Sequence, residues 1–332
     1  MPTEIATFTR TDEQSATAAW QISREAGPVD TFDLPPTSLE TFLGSFRMGH
    51  PGMDFEYALA YLDGVPAGHL TLELPQLDNL TLAMCHLKVA PRYRRNGVGR
   101  ALLDHATARL RELGRKNLVA ETTDHIADGD AFATAVGARP ALAETRSRLD
   151  LTTVDDSHLD ALLAESWEHT RGYRFLSWSG VPPQRYIDHV AYLDSRFNTD
   201  APTGELDLEP EKVDAERVRA AEQQRVDRGF GRYHGGVVHE ASDRLVAWTT
   251  LAGPGDEPDH LWQNITLVDP PHRGHRLGMI VKVENLRHAR AQRPHLRAVD
   301  TFNASSNEHM LAINRAMGFR PVEKSMQWQL SV

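Results

Sequence analysis

The run Val89-Ala90-Pro91-Arg92-Tyr93-Arg94-Arg95-Asn96-Gly97-Val98-Gly99-Arg100-Ala101-Leu102-Leu103 decides how the chain is read. It has the make-up of a strand end, a tight basic turn and the opening of a helix. Gly97 and Gly99 carry no side chain, so a ligand can approach their backbone closely. A helix starting behind them begins with unpaired N–H groups and the positive end of its dipole, which attracts an anion. Arg92, Arg94, Arg95 and Arg100 add full charges around the same point. The functional reading is a cradle for a pyrophosphate; the plainer one is a glycine turn with a solvated basic face. The stretch is neither the three-glycine dinucleotide fingerprint nor the Gly-Lys-Ser/Thr loop of nucleoside triphosphatases.

The same turn recurs. Asp269-Pro270-Pro271-His272-Arg273-Gly274-His275-Arg276-Leu277-Gly278 repeats it, with Val89/Val268, Pro91/Pro270, Arg94/Arg273 and Gly99/Gly278 each 179 positions apart. The same offset pairs Gly68-His69-Leu70-Thr71-Leu72 with Ala247-Trp248-Thr249-Thr250-Leu251, and Gly137-Ala138 answers Gly318-Phe319 at 181. A nearly fixed offset across three elements reads as two copies of one unit.

Arg94-x-x-Gly97-x-Gly99 followed by Ala101-Leu102-Leu103 resembles the acetyl-CoA loop of the GNAT N-acetyltransferases. The whole chain is similar to tandem, two-domain members of that family, including actinobacterial ones. The resemblance implies an α/β fold with a mixed sheet in each of two tandem GNAT domains. We expect these at residues 1–151 and 152–332, with the boundary near Asp150 to Asp156. The element order agrees: strand Ile5–Phe8, helix Asp12–Ala26 stopped by Gly27-Pro28, and a Leu34-Pro35-Pro36 loop before a helical stretch Ser38–Phe46. Then come strands Tyr57–Leu62, Ala67–Leu74 and Leu80–Val89, helix Gly99–Leu113, strand Asn117–Glu121, helix Asp130–Val136 and strand Glu144–Leu151. The second copy opens with helix His158–Trp167, capped by Asp156 or Ser157. An aromatic stretch follows at 171–204, suspected of forming a substrate pocket because of its length. A densely charged segment, Pro210–Asp227, suits an exposed helix.

The resemblance assigns acetyl-CoA as co-substrate. In the first copy its contacts would be Leu87, Val89, Arg94, Arg95, Asn96, Gly97, Val98, Gly99 and Arg100. In the second they would be Thr266, Val268, Arg273, Gly274, His275, Arg276, Leu277 and Gly278, with Asn303 and Asn307 presenting amides to the pantetheine arm. Arg276 stands where the first glycine is expected, and either crowds the pyrophosphate or salt-bridges to it. The Asn-rich run from Thr301 to Phe319 belongs to the C-terminal copy alone, which favours binding in both halves and catalysis in the C-terminal one.

The implied chemistry is attack of a small-molecule amine on a thioester. It requires a neutral amine, a donor to the carbonyl oxygen and a proton for the leaving thiolate. By the resemblance, backbone at Leu87–Val89 and Thr266–Val268 polarises the carbonyl. The family's proton-donating tyrosine is replaced by Ala133 and Asn314. Asn314, in that place, and Glu240, as base, are the catalytic candidates; His239, Glu73 and His86 are further bases, each with an ordinary surface role as the alternative. The missing tyrosine keeps a second reading open, a non-catalytic acyl-CoA-binding or scaffold protein, and transfer of a larger acyl group is a third.

Composition bounds the rest. The chain has 332 residues, 40% hydrophobic and 25% charged, which is ordinary globular composition with room for two cores. A net charge of −10 argues against nucleic acid or an acidic membrane as partner. The single cysteine, Cys85, excludes an internal disulfide framework and reads as a core residue; no metal-ligand spacing is present. With no basic-then-apolar start and no long apolar run, the expectation is a cytoplasmic protein, monomer or homodimer, without metal.

Overall fold

Asp63 and Gly64 both lie at positive φ, 55° and 77°, the backbone of a two-residue hairpin turn whose twist suits its flanking strands. They join β2 (Met53–Leu62) to β3 (Val65–Pro75), and β4 (Leu82–Val89) returns along β3. The computed structural model describes residues 3–30, 33–34 and 36–332. Pro35 of the expected proline loop and Met1-Pro2 of the expected leaderless start lie outside the described residues, as does the side chain of Ala127.

The chain divides into two units: Met1–Ala143 with Thr203–Glu209 and Glu323–Val332, and Glu144–Pro202 with Pro210–Val322. In the first, β1 (Glu4–Phe8), β2, β3, β4, β5 (Asn117–Thr123) and β12 (Arg320–Ser331) are neighbours in that order. Only β4 and β5 run parallel. Successive residues of a strand face opposite sides of the sheet. Ala58 and Ala60 accordingly join the core under α3 (Val98–Glu112), whereas Leu59 between them packs with Ala19 and Ile22 of α1 (Glu13–Asp30). Helices α2 (Leu39–Met48) and α4 (Ala127–Ala135) complete the unit. Asp12 caps α1 as expected, its carboxylate accepting from the Ser15 N–H. Gly27-Pro28 does not stop the helix: it continues to Asp30, since a proline in the last turn forfeits one hydrogen bond without blocking the residues that follow.

The second unit repeats the plan. Its strand order is β6 (Arg139–Asp150), β11 (Ala298–Ala304), β10 (His260–Val268), β9 (Arg244–Pro254), β8 (Phe230–His239) and β7 (Tyr173–Ser179), with only β10 and β11 parallel. Tyr233 and Val237 of β8 face α9 (Leu277–Gln292) and α5 (Asp156–Glu168). Trp178, Val238 and Trp248 face α6 (Ile187–Ser195) and α8 (Ala215–Asp227) on the other side. Helix α5 is capped by Asp155, one residue before the expected cap.

The last strands are exchanged. Residues 144–150 of β6, expected as the last strand of the first copy, pair antiparallel with β11 in the second unit, which begins at Glu144 rather than at 152. Residues 325–331 of β12 pair with β5 in the first. Asp300 of β11 fixes β6 in place. It accepts from Arg146 (2.6 Å) and from both Nε (2.6 Å) and Nη2 (2.7 Å) of Arg148, and is fully buried. Burial alone would raise its carboxyl pKa; the Arg148 and His260 contacts outweigh that and hold it well below the usual carboxylate range.

Candidate acyl-transfer site

The two basic turns share one backbone. Arg95 and Gly97 lie at φ 65° and 83° in the first, Gly274 and Arg276 at φ 84° and 54° in the second. The left-handed positions thus recur 179 residues apart, but glycine and arginine have changed places between them. A Cβ on Gly97 or Gly274 would touch nothing within 4 Å, so their backbone conformation, not packing, is what favours glycine there. Helices α3 and α9 begin at Val98 and Leu277, which are buried, while residues 95–97 and 274–276 are exposed with their backbone open to a ligand.

Each turn is braced alike. Arg94 Nε donates to Val89 O (3.1 Å) and its Nη2 to Asp30 (2.7 Å), at the end of α1. Arg273 Nε donates to Val268 O (3.2 Å) and its Nη2 to Asp200 (2.9 Å), at the end of the short α7 (Phe197–Asp200). These arginines position the turn. Arg276 pairs with Glu165 of α5 at 2.6 Å, which directs its side chain to a carboxylate of the protein. Arg95 lies 3.9 Å from Asp128 on the surface, Arg100 is exposed, and Asn96 donates to the Arg94 carbonyl at 3.0 Å. The second glycine of each turn is covered from the following helix. A Cβ at Gly99 would lie 3.7 Å from Phe132 and from Val89 and 3.9 Å from Leu87; one at Gly278 would lie 3.2 Å from Ile313 of α10 (Glu308–Met317).

Before each turn the parallel strands part. β4 and β5 pair only at Leu82–Met84 with Asn117–Val119, and β10 and β11 only at His260–Trp262 with Ala298–Asp300. Here the units differ. β4 stays in register with β3 from Met84 to Val89, whereas β10 is bulged against β9 between Gln263 and Thr266. A bulge leaves backbone outside the ladder. This one is held by buried polar groups: Gln263 Nε2 donates to Thr249 Oγ1 and to Thr250 O, both at 2.8 Å, and Thr249 and Thr266 share a 2.8 Å hydroxyl contact. Thr301 donates to Gln263 O across the parting strands at 3.1 Å.

A cavity of about 440 Å³ opens beside the bulge on the α8 side of the sheet. Gln263 and Asn264 reach it from β10, and its planar wall is Trp262 stacked on Phe302, with centroids 5.7 Å apart. Arg225, Arg228 and Arg232 also line it. Behind them Glu222 takes two hydrogen bonds from Arg232 (2.8 and 2.6 Å) and one from Arg225 (3.1 Å). Burial works to raise the Glu222 pKa; the His234 and Arg232 contacts prevail and hold it far below. His234 is pushed down to about 4 by burial, neutral between the rings of Trp178 and Trp248. The charged 210–227 segment is therefore not simply an exposed helix, for Val218 and Glu222 of α8 are buried. The aromatic stretch supplies core rather than this cavity: Trp178 and Tyr186 pack with Ile187, Val190 and Leu193.

The remaining candidates are dispersed. Asn314 Nδ2 donates to Asn303 Oδ1 at 2.7 Å, joining α10 to β11 at the parted strands. Asn307 caps α10, accepting from the Met310 N–H at 3.2 Å. Glu240 is exposed at the β8–β9 turn, outside the cavity lining, and His239 contacts Ser242 at 2.9 Å. His86 and Glu73 pair at 3.1 Å on neighbouring strands. Cys85 is buried, its thiol pushed up to about 12 by burial. Among the described residues, no group of three or more His, Cys, Asp or Glu is placed to hold a metal ion, and no helix is long and apolar enough to cross a membrane. The cavity arginines and the bulge were not singled out from sequence; the signal was there in Arg225-x-x-Arg228-x-Phe230-x-Arg232.

Residues 18–134 match the model of the acetyltransferase (GNAT) family. Over 99% of this chain and 98% of the other, the fold is similar to that of a tandem GNAT protein from the clavulanic acid biosynthesis pathway, with 27% identity and a TM-score of 0.82. A GCN5-related N-acetyltransferase from Sphaerobacter thermophilus shares the fold at 15% identity, covering 98% and 95% of the two chains with a TM-score of 0.71. No protein of curated function matches the sequence. Residues 18–134 thus match the GNAT acetyltransferase family, and over nearly its whole length the fold of the chain is similar to that of a tandem GNAT protein.

Proposed function

We propose that this GNAT protein is an acetyl-CoA-dependent N-acetyltransferase of a small amine, with both turns binding acyl-CoA and transfer confined to the second unit. The observation that carries the assignment is the bulge in β10, which lies between a phosphate-type turn and a cavity large enough for an acceptor; β4 has no counterpart to it. The residues of the second unit fit the co-substrate. The exposed backbone of 274–276 and the N-terminus of α9 suit a pyrophosphate, and Asn303 and Asn307 lie on the strand and helix that flank the parted ladder. Bound acetyl-CoA supplies the acetyl group as a thioester.

The chain's own part is positioning and polarisation. Backbone released from the ladder at Asn264 and Ile265 is the donor set for the carbonyl oxygen, kept in place by Gln263 and Thr249 so that little reorganisation accompanies reaction. The amine nitrogen bonds to the carbonyl carbon, the carbon–sulfur bond breaks, and the proton lost by nitrogen balances the one gained by sulfur. Three guanidinium groups at the cavity disfavour an ammonium and thus favour the neutral, nucleophilic amine. Asn314 serves here as a positioning residue through Asn303, since a carboxamide is not a proton donor of useful acidity.

The continuous β3–β4 register and Ala133 favour a second role for the first unit, binding acyl-CoA without transferring it. Thiol release from acetyl-CoA, followed over a panel of primary amines, tests the proposal. Amine-dependent release with a mass gain of one acetyl group on the acceptor supports it. Acetyl-CoA binding without release for any amine overturns it in favour of a binding module.

A further inference from the structure

The acceptor cavity has an unusual charge for a chain of net charge −10. Of the described residues that line it, three are arginines and none is a carboxylate. Glu222 lies behind the lining, holding Arg232 with both oxygens and accepting from Arg225 at 3.1 Å. Asp194, also outside the lining, interacts with Arg225, and its carboxyl is raised to about 6, by burial first and by Glu211 second. Arg228 is steered by the Phe230 ring, whose centroid lies 5.3 Å from its guanidinium carbon. The stacked rings of Trp262 and Phe302, 8° from parallel, give the cavity an apolar part beside the bulge residues Gln263 and Asn264.

Resting on the acetyltransferase reading, we infer that the acceptor is an amine that carries a carboxylate and an apolar body, an amino acid or a close relative, with the carboxylate seated on Arg225 and Arg228. Guanidinium forks recognise carboxylates by paired, charge-assisted hydrogen bonds. The aromatic wall takes the apolar part, and the amine is left at the bulge end. A purely cationic amine fits poorly, because it meets three like charges and no counter-charge on the lining. The chain's acidic balance is thus no guide to its acceptor.

The experiment uses paired acceptors that differ only by the carboxylate: phenylalanine with phenethylamine, tryptophan with tryptamine, leucine with 3-methylbutylamine. With saturating acetyl-CoA, the carboxylate member of at least one pair is expected to have a kcat/KM roughly ten- to a hundredfold above its partner. Arg228→Gln is expected to remove that preference, with the larger change in KM, and Arg228→Lys to restore part of it. Unchanged acetyl-CoA affinity and melting temperature in both variants would exclude a folding defect. Preference for the decarboxylated members, or a preference untouched in Arg228→Gln, overturns the inference. If no amine is acetylated, the transferase reading fails and the cavity is tested alone by calorimetric titration with the N-acetyl derivatives of the three amino acids. Binding lost in Arg228→Gln sustains the carboxylate seat, and no binding to the wild type overturns it.

Discussion

The first turn places arginine then glycine in its two left-handed positions, Arg95 and Gly97; the second places glycine then arginine, Gly274 and Arg276. The two backbones nonetheless agree, braced by Arg94 and Arg273 on equivalent carbonyls and on the end of a preceding helix. At these two positions the repeat preserves a conformation and its brace rather than a residue type. Beyond the turns the halves diverge, in the ladder before the turn and in the interior behind it. Val119 of β5 and Asp300 of β11 each occupy the third and last parallel pair of their unit, and both are buried. Leu103 and Lys282 share a helix position by the 179-residue offset and are likewise both buried. At these two positions the first unit is apolar where the second is charged, and β10 carries the bulge that β4 lacks.

The largest expected effect separates the halves by function. Aspartate at the second position of a helix complements its dipole yet repels a pyrophosphate, so Gly99→Asp and Gly278→Asp perturb binding more than folding. Gly278→Asp, whose Cβ would meet the Ile313 side chain at 3.2 Å, is expected to lower turnover roughly a hundredfold, and Gly99→Asp by no more than about threefold. Steady-state kinetics on both variants checks this. Asp300→Asn is expected to destabilise the second unit by about 3–5 kcal/mol in denaturant unfolding, because the buried Arg146 and its neighbour Arg148 both lose the charge they pair with at Asp300. Since the folded Asp300 pKa lies below its unfolded value, its contribution is complete above the ordinary carboxyl pKa near ~4 and is lost as pH falls through the lower folded value.

Lys282 provides the opposite sign. Burial pushes its amine down to about 7, so charging it disfavours the folded state. Stability should therefore decline as pH falls from about 10 to about 7 and then level off. Lys282→Leu, which copies Leu103, is expected to raise stability near neutral pH by roughly 2 kcal/mol and to flatten that pH dependence in thermal melts. The smallest effect belongs to Arg276→Gly. Relief of a left-handed arginine offsets loss of the exposed Glu165 pair, so stability should stay within about 1 kcal/mol. Acetyl-CoA affinity within about threefold of wild type would assign phosphate binding to the backbone, and a larger loss would assign it to the guanidinium.

The repeat, the mixed-sheet units and the two turns were legible in the sequence because each rests on local chemistry: glycines, prolines and helical spacing. The exchange of β6 and β12 was not, because a strand's own alternation does not say which neighbour completes its ladder. The cavity was hidden for a related reason. Glu222 and Arg232 belong to different elements, and in a segment of alternating charge nothing marks one pair as buried. The role suspected for 171–204 rested on aromatic content, which serves core and pocket equally; Trp262 and Phe302, single residues on two strands, form the wall instead.

Calorimetric titration with acetyl-CoA on the wild type, Gly99→Asp and Gly278→Asp, run beside turnover of the same preparations, tests the central claim most directly. The account predicts two sites in the wild type, one in each variant, and turnover lost only with Gly278→Asp. Turnover lost with Gly99→Asp and kept with Gly278→Asp would contradict it and move the chemistry to the first unit.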